Sequence, residues 1–478
     1  MLFLKAMPQK ILSIVMLISI INISSKNVCA STTYTHRQLS YNPILENSLN
    51  FNNLKECDDW CSIFTFKPIY MQSVGNKFQR YFNINHKPYL NVQENGTGDI
   101  DSLWFKVISS NDTFYSSKLC FRPVRQEYGT MFFTQFKLPC DFSVSINTAF
   151  VGTRYRMRPN EFDIQNQGTV NGYRTILESL DNNDRVFGKV GCQSITKSGV
   201  DDIQIKIIKS IRNDECMSLD FYGLIGVPTG KRSKAIFMFE PMIGSKHAQL
   251  GLGSYLFKKV HETDCGDLNL LAEVKYRYAF SATERRIFDL QLNRQWSRYM
   301  LLVDEADKYI PFLASNHLAI CTKVKPKNNL DVFVAINKSH NCWQFEIGYD
   351  FFYRDRESVE YINCDQDFPR NYGIADLRGI AEGKPQSANS ANISQSVLPG
   401  KNQMISNSKF IKLTKNMVNL DSGAAPKTIS NSICGSVAYK VKCCDKDFNI
   451  GIGSSYEIGS NINSPNFIYS WAYLNWNY

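Results

Sequence analysis

Beyond its first thirty residues, the sequence lacks any apolar run long enough to form a transmembrane helix, which needs roughly 20 consecutive apolar residues. This absence leaves a protein that folds in water or one that enters a bilayer as strands. The chain also lacks a Lys/Arg-rich tract with interleaved aromatic residues, although its net charge is +10. We therefore predict no nucleic-acid partner.

Motifs for catalysis and metal binding are missing as well. The six histidines form no His-Glu-x-x-His motif, and no Gly-x-Ser-x-Gly nucleophile elbow occurs. Cys57 and Cys61 lack a second pair at zinc-ligand spacing. We predict no enzyme activity, no cofactor and no metal. The alternative is a barrel hydrolase using His247, with Ser245 and Asp264 nearby in sequence, and the missing elbow disfavours it.

The N-terminus has the pattern of a secretory signal. Lys5 and Lys10 precede an uncharged apolar run over residues 11–23, and Val28-Cys29-Ala30 provides a cleavage site. We predict that residues 1–30 are a cleaved signal peptide, so the mature chain works outside the cytoplasm. Cleavage removes Lys5, Lys10 and Lys26, which lowers the net charge from +10 to +7.

The cysteine content is high for a chain that is predicted to work outside the cytoplasm. The sequence has 14 cysteines, and loss of Cys29 leaves 13. An odd number in an oxidising compartment leaves at least one thiol free or paired with another chain. Spacing does not fix the pairing. The candidate pairs that are close in sequence are Cys57 with Cys61, Cys120 with Cys140, and Cys192 with Cys216.

The last thirteen residues, 466–478, alternate strictly and carry no charge. Ile468, Ser470, Ala472, Leu474, Trp476 and Tyr478 share one face of a strand, opposite Phe467, Tyr469, Trp471, Tyr473, Asn475 and Asn477. The closing strand of a lipid-embedded barrel needs such an apolar outward face. By resemblance to other outer-membrane proteins, we expect barrel-assembly machinery to recognise an assembly signal formed by Leu474, Trp476 and Tyr478.

The same alternation recurs at 268–280, 345–353 and 448–458, over lengths that a tilted strand needs to cross a bilayer. The chain is rich in rings, with 31 Phe, 24 Tyr and 6 Trp. We predict an all-β, antiparallel transmembrane β-barrel of about 12–16 strands with long external loops. Six charged residues on the polar faces are predicted to line the lumen, where they set selectivity or form a plugging network. They are Glu273, Lys275, Arg277, Glu346, Asp350 and Arg354.

Connection lengths support the barrel, because membrane barrels have short periplasmic turns and long external loops. Predicted short turns at 443–446, 338–340 and 293–296 alternate with longer connections at 459–465, 355–432 and 305–329. A short connection at 281–283 breaks this alternation. Within the run Arg294 to Tyr299, we predict that Trp296 and Tyr299 lie in an interfacial aromatic girdle. A carbohydrate-binding cluster is the alternative.

The glycine-rich run Gly223-Leu224-Ile225-Gly226-Val227-Pro228-Thr229-Gly230-Lys231 fails the phosphate-loop spacing. Together with Leu250-Gly251-Leu252-Gly253, it resembles the strand-turn pattern of outer-membrane barrels in the hydrophobic-compound and phenol-pathway transporter group. This resemblance covers the chain from Leu219 onward. It implies a membrane barrel that carries small solutes.

These patterns predict three regions after the signal and one function. Residues 31–116 supply early strands, a cap or a periplasmic extension, and 117–478 form the barrel with a long polar loop at 379–432. We predict a bacterial outer-membrane, porin-like barrel, embedded in lipid, that acts as a passive channel or transporter. The solute is unknown. A secreted all-β surface-binding protein or adhesin is the alternative.

Overall fold

The protein was analysed as a computed structural model. It describes residues 33–47, 62–94, 96–109, 114–168, 172–214, 216–263, 266–362, 368, 370–377, 380, 383, 387–388, 391–396, 410–443, 446–460 and 464–477. The predicted signal peptide and Tyr478 lie outside these residues, as does part of the predicted polar loop.

Strands make up most of the described chain. In order they are β1 (Ser62–Val74), β2 (Leu90–Gln93), β3 (Ile100–Asp101), β4 (Ser116–Phe121), β5 (Val124–Leu138), β6 (Phe142–Arg156), β7 (Pro159–Gln165), β8 (Ser194–Val200), β9 (Ile203–Asn213), β10 (Met217–Val227), β11 (Gln249–Thr263), β12 (Gly266–Ala279), β13 (Ala282–Ile287), β14 (Asp289–Leu290), β15 (Leu301–Asp304), β16 (Phe312–Leu313), β17 (Ala319–Lys325), β18 (Lys327–His340), β19 (Trp343–Arg354), β20 (Ser358–Tyr361), β21 (Tyr372–Ile374), β22 (Val418–Asn419), β23 (Thr428–Cys443), β24 (Lys446–Gly459) and β25 (Asn466–Asn477).

The helices are short. The α-helices are Pro43–Asn47, Lys77–Tyr81 and Ile176–Leu180, and the 3₁₀ helices are Leu39–Tyr41, Ile84–His86, Ser102–Phe105, Ser297–Tyr299, Ala314–Asn316, Lys415–Met417 and Leu420–Gly423.

Twelve long strands close into one antiparallel barrel. Around the wall their order is β1, β5, β6, β9, β10, β11, β12, β18, β19, β23, β24 and β25. The first and last of these strands pair with each other, from Ile63 opposite Asn477 to Val74 opposite Asn466. Every wall strand therefore has two neighbours, and the barrel wall has no open edge; β8 pairs with β6 outside this ring. The predicted all-β barrel and its strand count are confirmed, and β1 lies within the 31–116 segment.

The wall is apolar outside and polar inside. Eleven of the twelve strands place at least one large apolar side chain on the exposed outer face, and in β18 the outward Val332, Val334 and Ile336 are half-buried. One example from each of the eleven is Phe66, Phe132, Phe150, Ile207, Phe221, Leu252, Tyr278, Ile347, Ile433, Ile452 and Ile468. The opposite faces are buried and carry charge, as at Glu273, Lys275 and Asp350. This distribution is the reverse of a protein that folds in water.

The two ends of the barrel differ in their connections. At the end where β25 finishes, the connections are the short 139–141, 214–216, 264–265, 341–342 and 444–445; we call this the short-turn end. At the other end lie 75–123, 157–202, 228–248, 280–326, 355–427 and 460–465. Five of these six are long, and together we call them the cap. The alternation of short and long connections predicted from the sequence is present all round the barrel.

Two predicted turns were placed wrongly. Residues 281–283 and 293–296 do not join barrel strands, because both lie inside the single connection from β12 to β18. That stretch forms cap strands instead, and β13 pairs with β17 outside the barrel sheet. The short connection that broke the predicted alternation is therefore not a barrel turn.

The cap folds into a packed layer with small sheets of its own. These sheets have the orders β13-β17-β20, β14-β22, β16-β15-β21 and β3-β2-β4-β7. Cap residues such as Trp104, Trp296 and Leu302 are fully buried and belong to one apolar core with lumen residues. The cap thereby covers the end of the barrel opposite the short-turn end.

Candidate functional site: the lumen and the segment inside it

Residues 33–47, which we call the lumen segment, lie inside the barrel. From Leu39 to Asn47 every residue is buried, including the polar Ser40, Asn42 and Glu46. At its start, Tyr34 packs edge-on against Phe78 and Tyr81 of the cap, with ring centroids 4.7 and 5.4 Å apart. The segment therefore extends from the cap into the barrel interior.

Arg37 ties the upper part of the lumen segment to the wall. Its guanidinium donates to the Asp350 carboxylate on β19 at 2.5 and 3.1 Å and lies 2.7 Å from Asp331 on β18. Asp331 also accepts from Arg277 on β12 at 2.8 Å. Two carboxylates and two guanidiniums thus form one buried network, which satisfies charges that would be costly to bury alone.

Glu46 ties the lower part of the lumen segment to the wall. Its carboxylate forms ion pairs with Lys206 on β9 and, at 3.0 Å, with Lys275 on β12. Burial raises the pKa of Glu46, but the two lysines outweigh it and hold this pKa at about 2. The neighbouring Asn47 side chain donates to Glu273, so β12 is contacted at two successive positions of the segment.

Backbone groups of the lumen segment are also paired with the wall and the cap. The Asn147 side chain on β6 donates to the Ser40 carbonyl at 2.7 Å, and the Ser40 N–H donates to Asp201 at 3.1 Å. The Lys67 ammonium on β1 donates to the Leu45 carbonyl. Since the segment lacks a sheet ladder of its own, these bonds satisfy polar groups that have no access to water.

Two cavities flank the lumen segment. The cavity on the cap side, about 70 Å³, is lined by His36, Arg125, Glu284, Arg286 and Arg354 among others. The cavity on the short-turn side, about 100 Å³, is lined by Glu46, Asn47, Phe133, Ser143 and Tyr255 among others. Residues 35–39 line the first cavity and residues 46–47 line the second, so the lumen segment borders both.

All six predicted lumen residues lie on the buried face of their strands. Four of them contact the lumen segment directly. Lys275 and Glu273 meet residues 46–47, and Asp350 meets Arg37. Arg354 also reaches it, by donating to the Thr35 carbonyl at 3.2 Å. Glu346 lies 3.5 Å from the Ser436 hydroxyl on β23, and Arg277 joins the network through Asp331. Their role in selectivity remains a prediction.

Sequence reasoning missed the residues that close the lumen. Arg37 and Glu46 lie in a stretch without strand periodicity, so no pattern points to the barrel interior. Asp331 and Lys206 lie on the long barrel strands β18 and β9. The inward alternation of these strands would have shown both as lumen charges.

The predicted aromatic girdle is wrong for Trp296 and Tyr299. Both side chains are fully buried in the cap, and the Trp296 indole donates to the Phe82 carbonyl at 2.8 Å. The Tyr299 hydroxyl donates to the Gly188 carbonyl at 2.9 Å. Because residues 293–296 are not a barrel turn, neither ring reaches a lipid interface, and the two rings stabilise the cap instead.

The predicted assembly residues lie on the outer face of β25 as far as they are described. Leu474 pairs with Phe66 and Ile450 on the flanking strands, and Trp476 with Phe64 and Phe448. Tyr478 lies outside the described residues. The inner face of β25 holds the buried rings of Phe467, Tyr469, Trp471 and Tyr473.

The hydrolase alternative gains no support from the geometry around His247. Its two ring nitrogens contact the Phe280 carbonyl at 2.7 Å and Glu284 at 2.9 Å. The Ser245 hydroxyl donates to Asp202 at 2.6 Å. Burial raises the pKa of Glu284, but Arg286 and His247 outweigh it and hold that pKa at about 2, which suits a structural ion pair.

None of the helices in the described part of the chain combines the length and apolarity that crossing a membrane demands. Within the same residues, no group of three or more His, Cys, Asp or Glu side chains is arranged to hold a metal ion.

Comparison with family models and with curated protein sequences gives no match. Solved structures that this chain is similar to include an outer membrane channel from Pseudomonas putida F1, at 7% identity and a TM-score of 0.37, over 89% of this chain and 98% of that one. Two others are the toluene transporters TodX of Pseudomonas putida, at 8% identity and 0.27 over 94% and 95%, and TbuX of Ralstonia pickettii, at 10% and 0.28 over 96% and 99%. Similarity at these identities and TM-scores supports no conclusion beyond those drawn from the structure of this chain.

Proposed function

We propose that this protein is an outer-membrane β-barrel that acts as a gated passive channel for small solutes. The observation that carries the proposal is the reversed wall, with apolar side chains outside and charges inside. Apolar residues on eleven strands suit a lipid environment, in which every backbone group must be paired within the protein. A secreted adhesin would expose this surface to water.

The lumen segment is the gate of the proposed channel. It is held by side-chain contacts at Arg37 and Glu46, whereas the barrel wall is held by continuous strand ladders. Solute would therefore pass when the segment moves and the two cavities join. The short-turn end would face the periplasm, since short turns occupy that side in outer-membrane barrels.

Conductance in a planar bilayer tests the proposal. We expect wild-type protein to open rarely and Glu46→Gln to raise the mean conductance severalfold, because the neutral amide no longer pairs with two buried lysines. Glu305→Gln, on the exposed cap surface, is the matched control and should behave as wild type. Heat-dependent gel mobility shows that each variant is a folded barrel. Absence of current from a folded Glu46→Gln barrel would refute the channel.

A further inference from the structure

Cysteines are concentrated at the short-turn end of the barrel. All five short connections contain one: Cys140 in 139–141, Cys216 in 214–216, Cys265 in 264–265, Cys342 in 341–342 and Cys444 in 444–445, with Cys443 ending β23. Cysteine makes up 14 of 478 residues, about one residue in thirty-four, so chance would leave most of these connections without one. We call the three described residues Cys140, Cys216 and Cys342 the cysteine rim.

The rim cysteines whose surroundings are described are accessible thiols. Cys140, Cys216 and Cys342 are all free and exposed. Cys140 and Asp141 form the tip of their hairpin, with φ angles of 61° and 57°, and Asn341 precedes Cys342 at 53°. These tight left-handed turns hold the thiols at the end of rigid hairpins. Cys265 and Cys444 lie outside the described residues and are not counted in the rim.

The described rim thiols do not face one another. Neighbouring turns are two strand spacings apart, about 9–10 Å, whereas a disulfide needs Cα atoms roughly 4.4–6.8 Å apart. Strand lengths add an offset between Cys140 and Cys216. The Asp141 carbonyl accepts from Ser210 at 3.0 Å, and β9 runs on to Asn213 before Cys216 is reached.

The same offset separates Cys342 from the next hairpin. The Cys342 carbonyl accepts from the Lys440 N–H at 2.7 Å, and Cys443 follows three residues later, roughly 10 Å farther along β23. Disulfides between these described rim cysteines would therefore require the hairpins to change length or register.

In a membrane, the rim cysteines of a second copy of this chain lie at the same depth as those of the first copy. The apolar outer belt sets the depth of each barrel in a bilayer, so the rims of two neighbouring copies lie in one plane. Under the proposed function this plane is on the periplasmic side, an oxidising compartment. The thiols of adjacent rims can then approach laterally without deforming either barrel.

We propose that the cysteine rim is a covalent self-association surface that links copies of this chain through intermolecular disulfides. Two thiols, one from each copy, lose two protons and two electrons to form the sulfur–sulfur bond. A periplasmic protein disulfide of the thiol-oxidase class accepts the electrons and becomes a dithiol. The inference rests on the proposed function for its compartment and its shared membrane depth.

Non-reducing electrophoresis of outer-membrane fractions, with free thiols blocked by N-ethylmaleimide at lysis, tests the inference. We expect dimers and larger species that a reductant converts to monomer. Replacing the three rim cysteines by serine, together with Cys265, Cys443 and Cys444, should lower these species at least tenfold. The matched control is Cys192→Ser with Cys321→Ser, two thiols that are exposed in the cap at the opposite end; it should retain the linked species.

Peptide mapping of mixed light and heavy isotope-labelled copies identifies the linkage. Rim peptides joined between light and heavy chains would support the inference. Wild-type protein that stays monomeric under these conditions would overturn it, as would rim cysteines joined within one chain or to a different protein. Conductance is measured separately on reduced protein, and heat-dependent mobility verifies the barrel. A failed channel and a failed cysteine rim therefore give different results.

Discussion

At the residue scale, the lumen segment is held by buried charges that pair across several strands. Glu46 is contacted by lysines from two different strands, so one carboxylate fixes the lumen segment to both β9 and β12. Removing Glu46 from this buried ion network is costly, because the two buried ammonium groups of Lys206 and Lys275 would then share the single negative charge of Glu273. Glu46 is therefore more sensitive to substitution than the exposed ion pairs of the cap.

The pKa of Glu46 predicts how closure depends on pH. Its pKa in the folded protein is about 2, below the ordinary value of 4.5, so its stabilising contribution is complete above about pH 4.5 and is lost as pH falls through 2. We expect conductance to stay low from neutral pH to about pH 5 and to rise only in strongly acidic buffer. Conductance of Glu46→Gln, recorded over the same buffers, should lack this acidic rise. A wild-type rise near neutral pH would contradict the assignment.

Trp296 lies in the cap, where its buried side chain stabilises the packing. Its ring is fully buried against Phe121 and Tyr299, with centroids 5.6 and 5.1 Å away. Truncating such a side chain costs roughly 3–5 kcal/mol. We expect Trp296→Ala to make the cap sensitive to protease added outside intact cells. Leu292→Ala, in the same connection but 82% exposed, should resist protease as wild type does. Equal resistance of both variants would show that Trp296 does not stabilise the cap.

At the element scale, long alternating strands were predicted well and the strands of the cap were not. Three of the predicted strands have one more exposed face and one more buried face along their whole length, so their alternation is regular. They are 268–280, 345–353 and 448–458. In the connection 280–326, short strands are buried among other loops, and β15 has buried residues on both faces. The periodic pattern therefore disappears, and this connection was divided into barrel strands and turns that it does not contain.

The last strand gives a prediction about assembly. Trp476 lies at the barrel closure, where its ring is 4.5 Å from that of Phe64 on β1, and it pairs with Phe448 on β24. We expect deletion of 476–478 to reduce the heat-resistant, folded fraction in outer membranes severalfold. Deletion of 461–463, three residues of the connection between β24 and β25, is the size-matched control. Normal recovery of the first variant would refute an assembly role for these residues.

At the scale of the whole molecule, the wall could be predicted and its closure could not. Alternation alone assigned six charges to the inner face, and all six are buried there. Their contacts with the lumen segment span 226 residues for Asn47 with Glu273, 313 for Arg37 with Asp350 and 319 for Thr35 with Arg354. Local patterns carry no information on contacts of such range, so the filled lumen emerged only from the fold.

The reversed wall also makes a prediction that separates a lipid from an aqueous environment. Ile347, in the middle of β19, is 72% exposed and lies beside Gly435 and Ile336. In water, replacing such an exposed apolar residue by lysine changes stability little, but near a bilayer midplane it costs roughly 2–4 kcal/mol.

We expect Ile347→Lys to lower the unfolding midpoint in urea when the barrel is held in lipid vesicles. Ile310→Lys, at a cap position that is 67% exposed, should leave the midpoint unchanged. Because both isoleucines are exposed to a similar degree, a lower unfolding midpoint for Ile347→Lys than for Ile310→Lys would indicate that lipid surrounds the barrel wall. If both variants matched wild type, the belt of apolar side chains would not lie in lipid.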